Sequence, residues 1–373
     1  MNWMDILVKT LIGLGFIVGI GDAVLNNKFG LAERFRQGFS MIGPMMLSMA
    51  GIMSIAPVIA ELLRPIVEPC AHLFRIDPSV LSILLGCDMG GYQLAMSLAE
   101  NREIGLMMGL ATASMLGGTL TFSIPVGAAL LKDNIRGYYF QGLLIGVTCI
   151  PIGSMINGVL LKIPVTSVIW NNIPVILLTV AIAAGMKCHA DKMIWIMDKL
   201  ARGTEIIGFV GIGFGGVQYL TDWSPASSFM PLMESMKIVC QMGITLIGML
   251  PTIEIFLRLA KRYLDAAGRR FGLDGASTTG LMTSLVTTIP VYPLMQQMTK
   301  KGVVVNAAWT VFCSGIFGSQ LGLIMGIDSD LLPPFYAAKF SAAFAAMIVT
   351  MIFFKWEEKK EKEYERAWNC ENP

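Results

Sequence analysis

Charge is what this chain lacks most. Of its 373 residues only 14% are Asp, Glu, Lys or Arg, against 54% hydrophobic, where a soluble domain carries about a quarter charged residues. That deficit excludes an ordinary soluble fold, and with a positive mean hydropathy it makes the chain an all-α polytopic membrane protein. The formal net charge of +2 leaves no basic footprint for nucleic acid. Histidine is almost absent: His72 and His189 are the only two, both in polar stretches between apolar runs. No HExxH, no GxSxG and no His/Cys metal spacing occurs, so the chain offers an intramembrane enzyme little to work with, and no cofactor or metal is expected. The seven cysteines are scattered with no CxxC pair, which excludes a disulfide or zinc framework and reads them as small apolar residues. The amino end also lacks the basic stretch, short apolar core and small-residue cleavage site of a signal peptide, so the first apolar segment is expected to stay in the protein.

What is abundant is apolar length. Runs of roughly 20 residues, enough to cross about 30 Å of hydrocarbon, recur at 4-25, 39-60, 78-99, 103-131, 137-161, 165-186, 203-221, 236-258, 274-298, 302-327 and 333-355. Between them, 28-38, 189-203 and 258-272 read as amphipathic interfacial stretches, and 356-373 as a solvated, charged cytosolic tail. If all eleven runs cross, Lys and Arg divide 13 inside against 14 outside, which violates the positive-inside expectation. If instead 78-99 and 274-298 dip in and return as re-entrant hairpins, the division is 21 inside against six outside, with Lys339 left within a segment. That split predicts nine crossings and two hairpins, the amino end outside and the carboxyl end cytosolic.

The two odd segments also resemble each other. Phe74 aligns on Phe271, Asp77 on Asp274 and, after a three-residue insertion, Tyr92 on Tyr292; downstream, "LGGT" (116-119) falls on "IFGS" (316-319). The predicted organisation is a first membrane repeat over 1-161, a linker crossing with an amphipathic segment over 162-202, and a second, inverted repeat over 203-355. Inverted repeats are typical of secondary transporters, which bind substrate near the bilayer midplane where helices are broken. A hairpin folded at Gly90-Gly91 would have arms of about 15 Å and place its tip near that midplane.

The candidate chemistry gathers there. In "GCDMGG" (86-91), Asp88 is a carboxylate at bilayer depth, costing about 2.5 to 3.5 kcal/mol on insertion scales, and such residues mark ion or substrate paths; a cap holding the hairpin tip is the structural alternative. Cys87, Gly90 and Gly91 complete the string. Opposite it, Thr287 and Thr288 of "TTIP" offer hydroxyls, and Pro290 loosens nearby carbonyls because it cannot donate a backbone hydrogen bond. Each hairpin precedes a crossing expected to be interrupted at matching depth, Gly117 to Gly127 and Ser314 to Gly326, with Thr119, Thr121, Ser123, Ser319 and Gln320 facing the tips, although hydroxyls in membrane helices often bond their own backbone. Tyr92, Phe122 and Tyr292 offer aromatic faces to a cation.

Other features have bland readings. "GIGFGG" (211-216) satisfies a nucleotide-loop pattern, but it lies inside an apolar segment, and close helix packing accounts for it better. Asn157, Asn172 and Asn306 read as interhelical glue, Lys339 as a snorkelling lysine, and Glu205 and Glu254 as interfacial.

"LLGCDMGGYQLAMSLA" (84-99), "TFSIPVG" (121-127) and "GVTCIPIGSMINGVLL" (146-161) resemble, in the expected order, the ethanolamine permease family of ethanolamine-utilisation operons (EutH-type). The resemblance extends through "NNIPVILLTVAIAAGMK" (171-187) and "TTIPVYPLMQQM" (287-298), and is looser in the second half. It implies a multi-pass protein of the bacterial cytoplasmic membrane that imports ethanolamine and itself binds no cobalamin. Asp88 would take the ammonium group, and Thr119, Ser123, Thr287, Thr288 and Gln320 the hydroxyl or a coupling ion. A channel or ion-coupled symporter for another small organic cation, and a membrane scaffold or sensor, are the rival readings; whether the chain forms a homo-oligomer is left open.

Overall fold

A computed structural model describes residues 3–85 and 90–371, with side chains described for 5–83 and 91–356. Among the described residues the chain is all helix, without strands, and seven helices are long and apolar enough to cross a membrane. In chain order the helices are α1 (Trp3–Val24), α2 (Leu31–Phe74), α3 (Gly90–Leu98), α4 (Arg102–Leu130), α5 (Asp133–Leu160), α6 (Val165–Thr221), α7 (Leu232–Arg270), α8 (Gly275–Ser284), α9 (Val291–Leu294), α10 (Lys300–Cys313), α11 (Ser319–Ile327) and α12 (Leu332–Glu371). A 3₁₀ helix, Pro78–Leu85, precedes α3.

The three amphipathic stretches are continuous with the long helices. Residues 31-38 are the first turns of α2, 258-270 the end of α7, and 190-203 part of α6. The reason is local: 190-202 contains neither Pro nor Gly, so nothing interrupts the i to i−4 ladder. α6 yields only at His189, whose φ of −145° and ψ of 58° bend a helix of 57 residues that would otherwise be about 85 Å long. In α2 the ladder loosens into a π-turn, Met46–Ala50, just after Pro44, the adjustment a missing backbone donor invites. The α2 amino end is capped from α1: Asp22 accepts from the backbone N–H groups of Phe29, Leu31 and Ala32.

Glycines set how closely the long helices meet. A Cβ on Gly211 of α6 would stand 2.0 Å from the Gly51 carbonyl oxygen of α2, and one on Gly142 of α5 2.3 Å from the Val304 carbonyl of α10. Both contacts are open to glycine alone, so Gly211, within the "GIGFGG" run, is a packing residue.

The two predicted hairpin segments return to where they start. The Asp77 carboxylate accepts from Ser79 N–H at one end of its segment and from Glu100 and Asn101 N–H at the other. Asp274 does the same, accepting from the Ser277 N–H and hydroxyl and from the Thr299 N–H and hydroxyl. Each aspartate thereby ties the mouth of its segment to the cap of the next helix, because Asn101 and Thr299 are the N-caps of α4 and α10. Burial raises the Asp274 pKa, but the four hydrogen bonds outweigh it and hold the carboxyl at about 2. The unfolded value is about 3.9, so this stabilisation is complete above that value and is lost as pH falls toward about 2. In thermal unfolding of the detergent-solubilised protein, the gap between wild type and Asp274→Ala should stay constant above about pH 5 and narrow between about pH 4 and 2. A gap indifferent to acid would remove the carboxylate from the mouth's stability.

Gly90 and Gly91 do not form the expected turn; they open α3. Gly91 serves close approach instead, because a Cβ there would stand 2.8 Å from that of Ala113 on α4. Crossing 103-131 is also not interrupted. It is one helix, α4, relieved by π-turns at Met107–Thr112 and Thr119–Ser123, because the Thr and Ser residues bond back to their own helix and no proline falls before Pro125.

Candidate functional site

Two breaks among the described residues lie in the second half, and they interlock. α8 ends at Ser284, residues 285-290 are irregular, and α10 and α11 are separated by Ser314 to Gly318. Irregular backbone at membrane depth needs partners, and each break supplies the other's. Gly315 N–H donates to the Ser284 carbonyl and Phe317 N–H to the Leu285 carbonyl, both at 2.9 Å. Gly315 has φ of 65°, a conformation that suits glycine. A Cβ on Gly318 would come within 2.7 Å of the Val286 carbonyl oxygen. The Thr288 and Ser314 hydroxyls bond each other across the junction.

Beside this junction lies a small cavity of about 20 Å³, walled among the described residues by Ser114, Thr119, Phe122 and Ser123 of α4, Thr310 of α10, Ser314, and Gln320 of α11. Four of the predicted residues, Thr119, Phe122, Ser123 and Gln320, therefore meet, drawn from both halves of the chain. The Thr119 and Thr310 hydroxyls donate to their own helices, to Met115 and Ala307 carbonyls, so what they have left to offer a ligand is lone pairs. Gln320 is 5% exposed, and its side-chain carbonyl oxygen has no hydrogen-bond partner among the described residues. The wall is thus rich in acceptors and carries an aromatic ring, an arrangement suited to a donor-bearing cation.

The remaining predicted residues divide. Tyr292 is buried edge-on against Tyr139 of α5, ring centroids 5.9 Å apart; the Tyr139 hydroxyl donates to the Ser123 carbonyl at 2.7 Å and lies 3.5 Å from that of Tyr292. Thr287 faces away from its neighbour Thr288, into a separate cavity of about 280 Å³ shared with Arg34, Gln37, Glu254 and Pro290. The Ser319 hydroxyl lies by Gly315, and Tyr92 sits against Gly109 of α4, neither in the small cavity's wall. Thr121 bonds the Gly117 carbonyl. Gly91 abuts Ala113, next in chain to the cavity residue Ser114. Asp88 and Cys87 lie outside the described residues, and Gly90 contributes only the start of α3.

Sequence reasoning missed several members. Tyr139, Thr310 and Ser314 carried no signal beyond being polar within apolar runs. Glu254 did carry one, a carboxylate inside "TIEIF"; it receives Arg34 at 3.0 Å and Arg258 at 2.7 Å on the wall of the larger cavity. Lys339 is the clearest correction. It does not snorkel: it is fully buried, its ammonium 4.9 Å from the Phe335 ring centroid and within electrostatic reach of Cys313, next in chain to Ser314. Its neighbours explain why, since Ala338 and Ala342 press α12 against Gly153 of α5 and turn this face inward.

Residues 4–353 match the family described as "Ethanolamine utilisation protein, EutH". Among curated relatives, "Probable ethanolamine permease EutH" of Listeria monocytogenes is 29% identical over 98% of both chains. "Uncharacterized protein YxeR" of Bacillus subtilis is 32% identical over 88% of this chain and 89% of the relative. "Probable ethanolamine permease EutH" of Escherichia coli is 27% identical over 91% of this chain and 90% of its own. No solved structure matches. The resemblance borne by "GCDMGG" and its companion segments is thereby established along almost the whole sequence, and the chain belongs to the EutH family.

Proposed function

We propose that the protein is a permease for ethanolamine in the bacterial cytoplasmic membrane, working by alternating access at the junction of its broken helices. The observation that carries this is the buried, acceptor-lined cavity beside two interlocked helix breaks, with the Gln320 carbonyl, which has no partner among the described residues, in its wall. A protonated amino alcohol donates hydrogen bonds from both ends, and that wall accepts them. Relatives covering nearly the whole chain bear the name probable ethanolamine permease. At about 20 Å³ the small cavity holds about one water molecule, a closed form. The larger cavity, about 280 Å³, reaches the same break from the other side at Thr287 and Pro290, and serves as the vestibule. Residues 285-290 then act as the gate between them.

Nine crossings, two re-entrant hairpins and an inverted repeat complete the reading, the first repeat ending near 161 and the second beginning near 203. The closed mouths at Asp77 and Asp274 support the hairpins. The orientation, amino end outside and carboxyl end cytosolic, rests on the division of basic residues; which loops share a side is supported by which of them touch. Arg258, assigned inside, donates to the Phe29 carbonyl, and Lys300 lies 5.4 Å from the Tyr138 ring centroid. The Asp77 N–H, on a loop assigned outside, donates to the side chain of Asn171, near the start of crossing 165-186, at 2.7 Å.

The test is uptake of labelled ethanolamine into proteoliposomes of the purified protein. Saturable uptake above that of protein-free liposomes, competed by unlabelled ethanolamine, is the expected result. Uptake no faster than in empty liposomes would overturn the reading, and competition by a sodium or proton gradient's collapse would add ion coupling to it.

A further inference from the structure

On the opposite side of α10 from these cavities the structure holds a larger groove. It measures about 920 Å³ and lies between the end of α7, the start of α10 and the outer face of α12. One end is wholly basic. Arg269 and Arg270 come from the last turn of α7, Lys301 from the first turn of α10 and Lys355 from α12, and none of the four is in an ion pair among the described residues. Asp274, the carboxylate beside the α10 cap, is committed to Ser277 and Thr299. Gly272, with φ of 71°, makes room at the floor: a Cβ there would stand 3.3 Å from the Lys301 ammonium.

The rest of the groove is apolar. Phe344, Ile348 and Ile352 recur every fourth residue along α12, each more than half exposed. From Lys355 to Phe344 the stripe descends about 16 Å, about the depth of one leaflet's hydrocarbon. A cluster of cations at one end and an apolar wall one leaflet deep is the complement of a single molecule type, a phospholipid with an anionic headgroup. We infer that this groove is a specific binding site for an anionic diacyl phospholipid. A neutral lipid would fill the apolar wall equally well but leave four cations crowded together at the membrane surface; phosphate relieves that repulsion, and the arginines bind it in bidentate fashion.

The site is tested on the full chain, purified and delipidated in a neutral detergent. Its unfolding midpoint is measured with phosphatidylglycerol, with phosphatidylcholine of identical acyl chains, and with glycerol phosphate alone. Phosphatidylglycerol should raise the midpoint by several degrees more than phosphatidylcholine, and glycerol phosphate should leave it unchanged. In the Arg269→Gln/Arg270→Gln/Lys301→Gln variant the two lipids should become equivalent. Equal effects of the two lipids on wild type, full stabilisation by the soluble headgroup, or an undiminished preference in the variant would each overturn the assignment. Native mass spectrometry of wild type in an equimolar lipid mixture gives a reading that needs no variant to fold: retained phosphatidylglycerol supports the site, and retention in proportion to supply overturns it.

Discussion

Asp88→Asn is expected to abolish saturable ethanolamine uptake while leaving the purified protein monodisperse and its unfolding midpoint close to that of wild type. The described wall of the small cavity, with its Thr and Ser hydroxyls, the Gln320 carbonyl and the Phe122 ring, carries dipoles and an aromatic face but no anion. Dipoles alone compensate a desolvated ammonium poorly, because the loss of water around a full charge is repaid only by pairing and hydrogen bonding together. The family string places one carboxylate three residues before Gly91, which abuts the residue next to the cavity wall. Removing one partner of a desolvated charge pair costs about 2 to 5 kcal/mol, so half-saturation should rise at least about thirtyfold. Asparagine keeps the size and hydrogen-bonding shape of the side chain, so a cap at a hairpin tip would survive the change with uptake intact. Unchanged uptake would therefore assign Asp88 to the cap and leave the cation to oxygens and rings alone.

How far the sequence led depended on what kind of signal each feature leaves. Apolar runs mark membrane segments by length alone, and the seven long helices follow them. Where the chain leaves the membrane is not written in hydropathy, because amphipathic residues with good helix propensity prolong the same helix, as 190-203 does in α6. Asp77 and Asp274 were legible as an aligned pair, and the structure gives both one task, tying the start of each segment to the cap of the helix after it. Glycine was ambiguous in principle: Gly90 and Gly91 suit a turn and a close approach equally, and only the neighbour at Ala113 decides. In the site, residue type was readable and side was not. Thr287 and Thr288 are chemically alike and adjacent, yet one faces the larger cavity and the other Ser314, because in irregular backbone no fixed period tells which way a side chain points.

Lys339→Met should lower both the half-saturation concentration and the maximal rate of uptake, a combination that a packing residue would not produce. Lysine at bilayer depth costs about 2.5 to 3.5 kcal/mol on insertion scales, and methionine fills a similar volume without that cost. Volume therefore gives no reason for a fully buried lysine on α12 beside Cys313, next in chain to the cavity residue Ser314. Its charge does. A like charge repels a bound cation, and every 1.4 kcal/mol of that repulsion is about a factor of ten in binding. With the resident ammonium gone, a substrate cation binds more tightly and leaves more slowly, so affinity rises as turnover falls. Lys339→Arg keeps the charge and should keep the wild-type half-saturation value while slowing transport through its bulk. Rates normalised to reconstituted protein separate these outcomes from a folding defect, which lowers the maximal rate alone. If the methionine variant transports with wild-type half-saturation and rate, the ammonium has no part in the cycle, and the cavity's electrostatics are set without it.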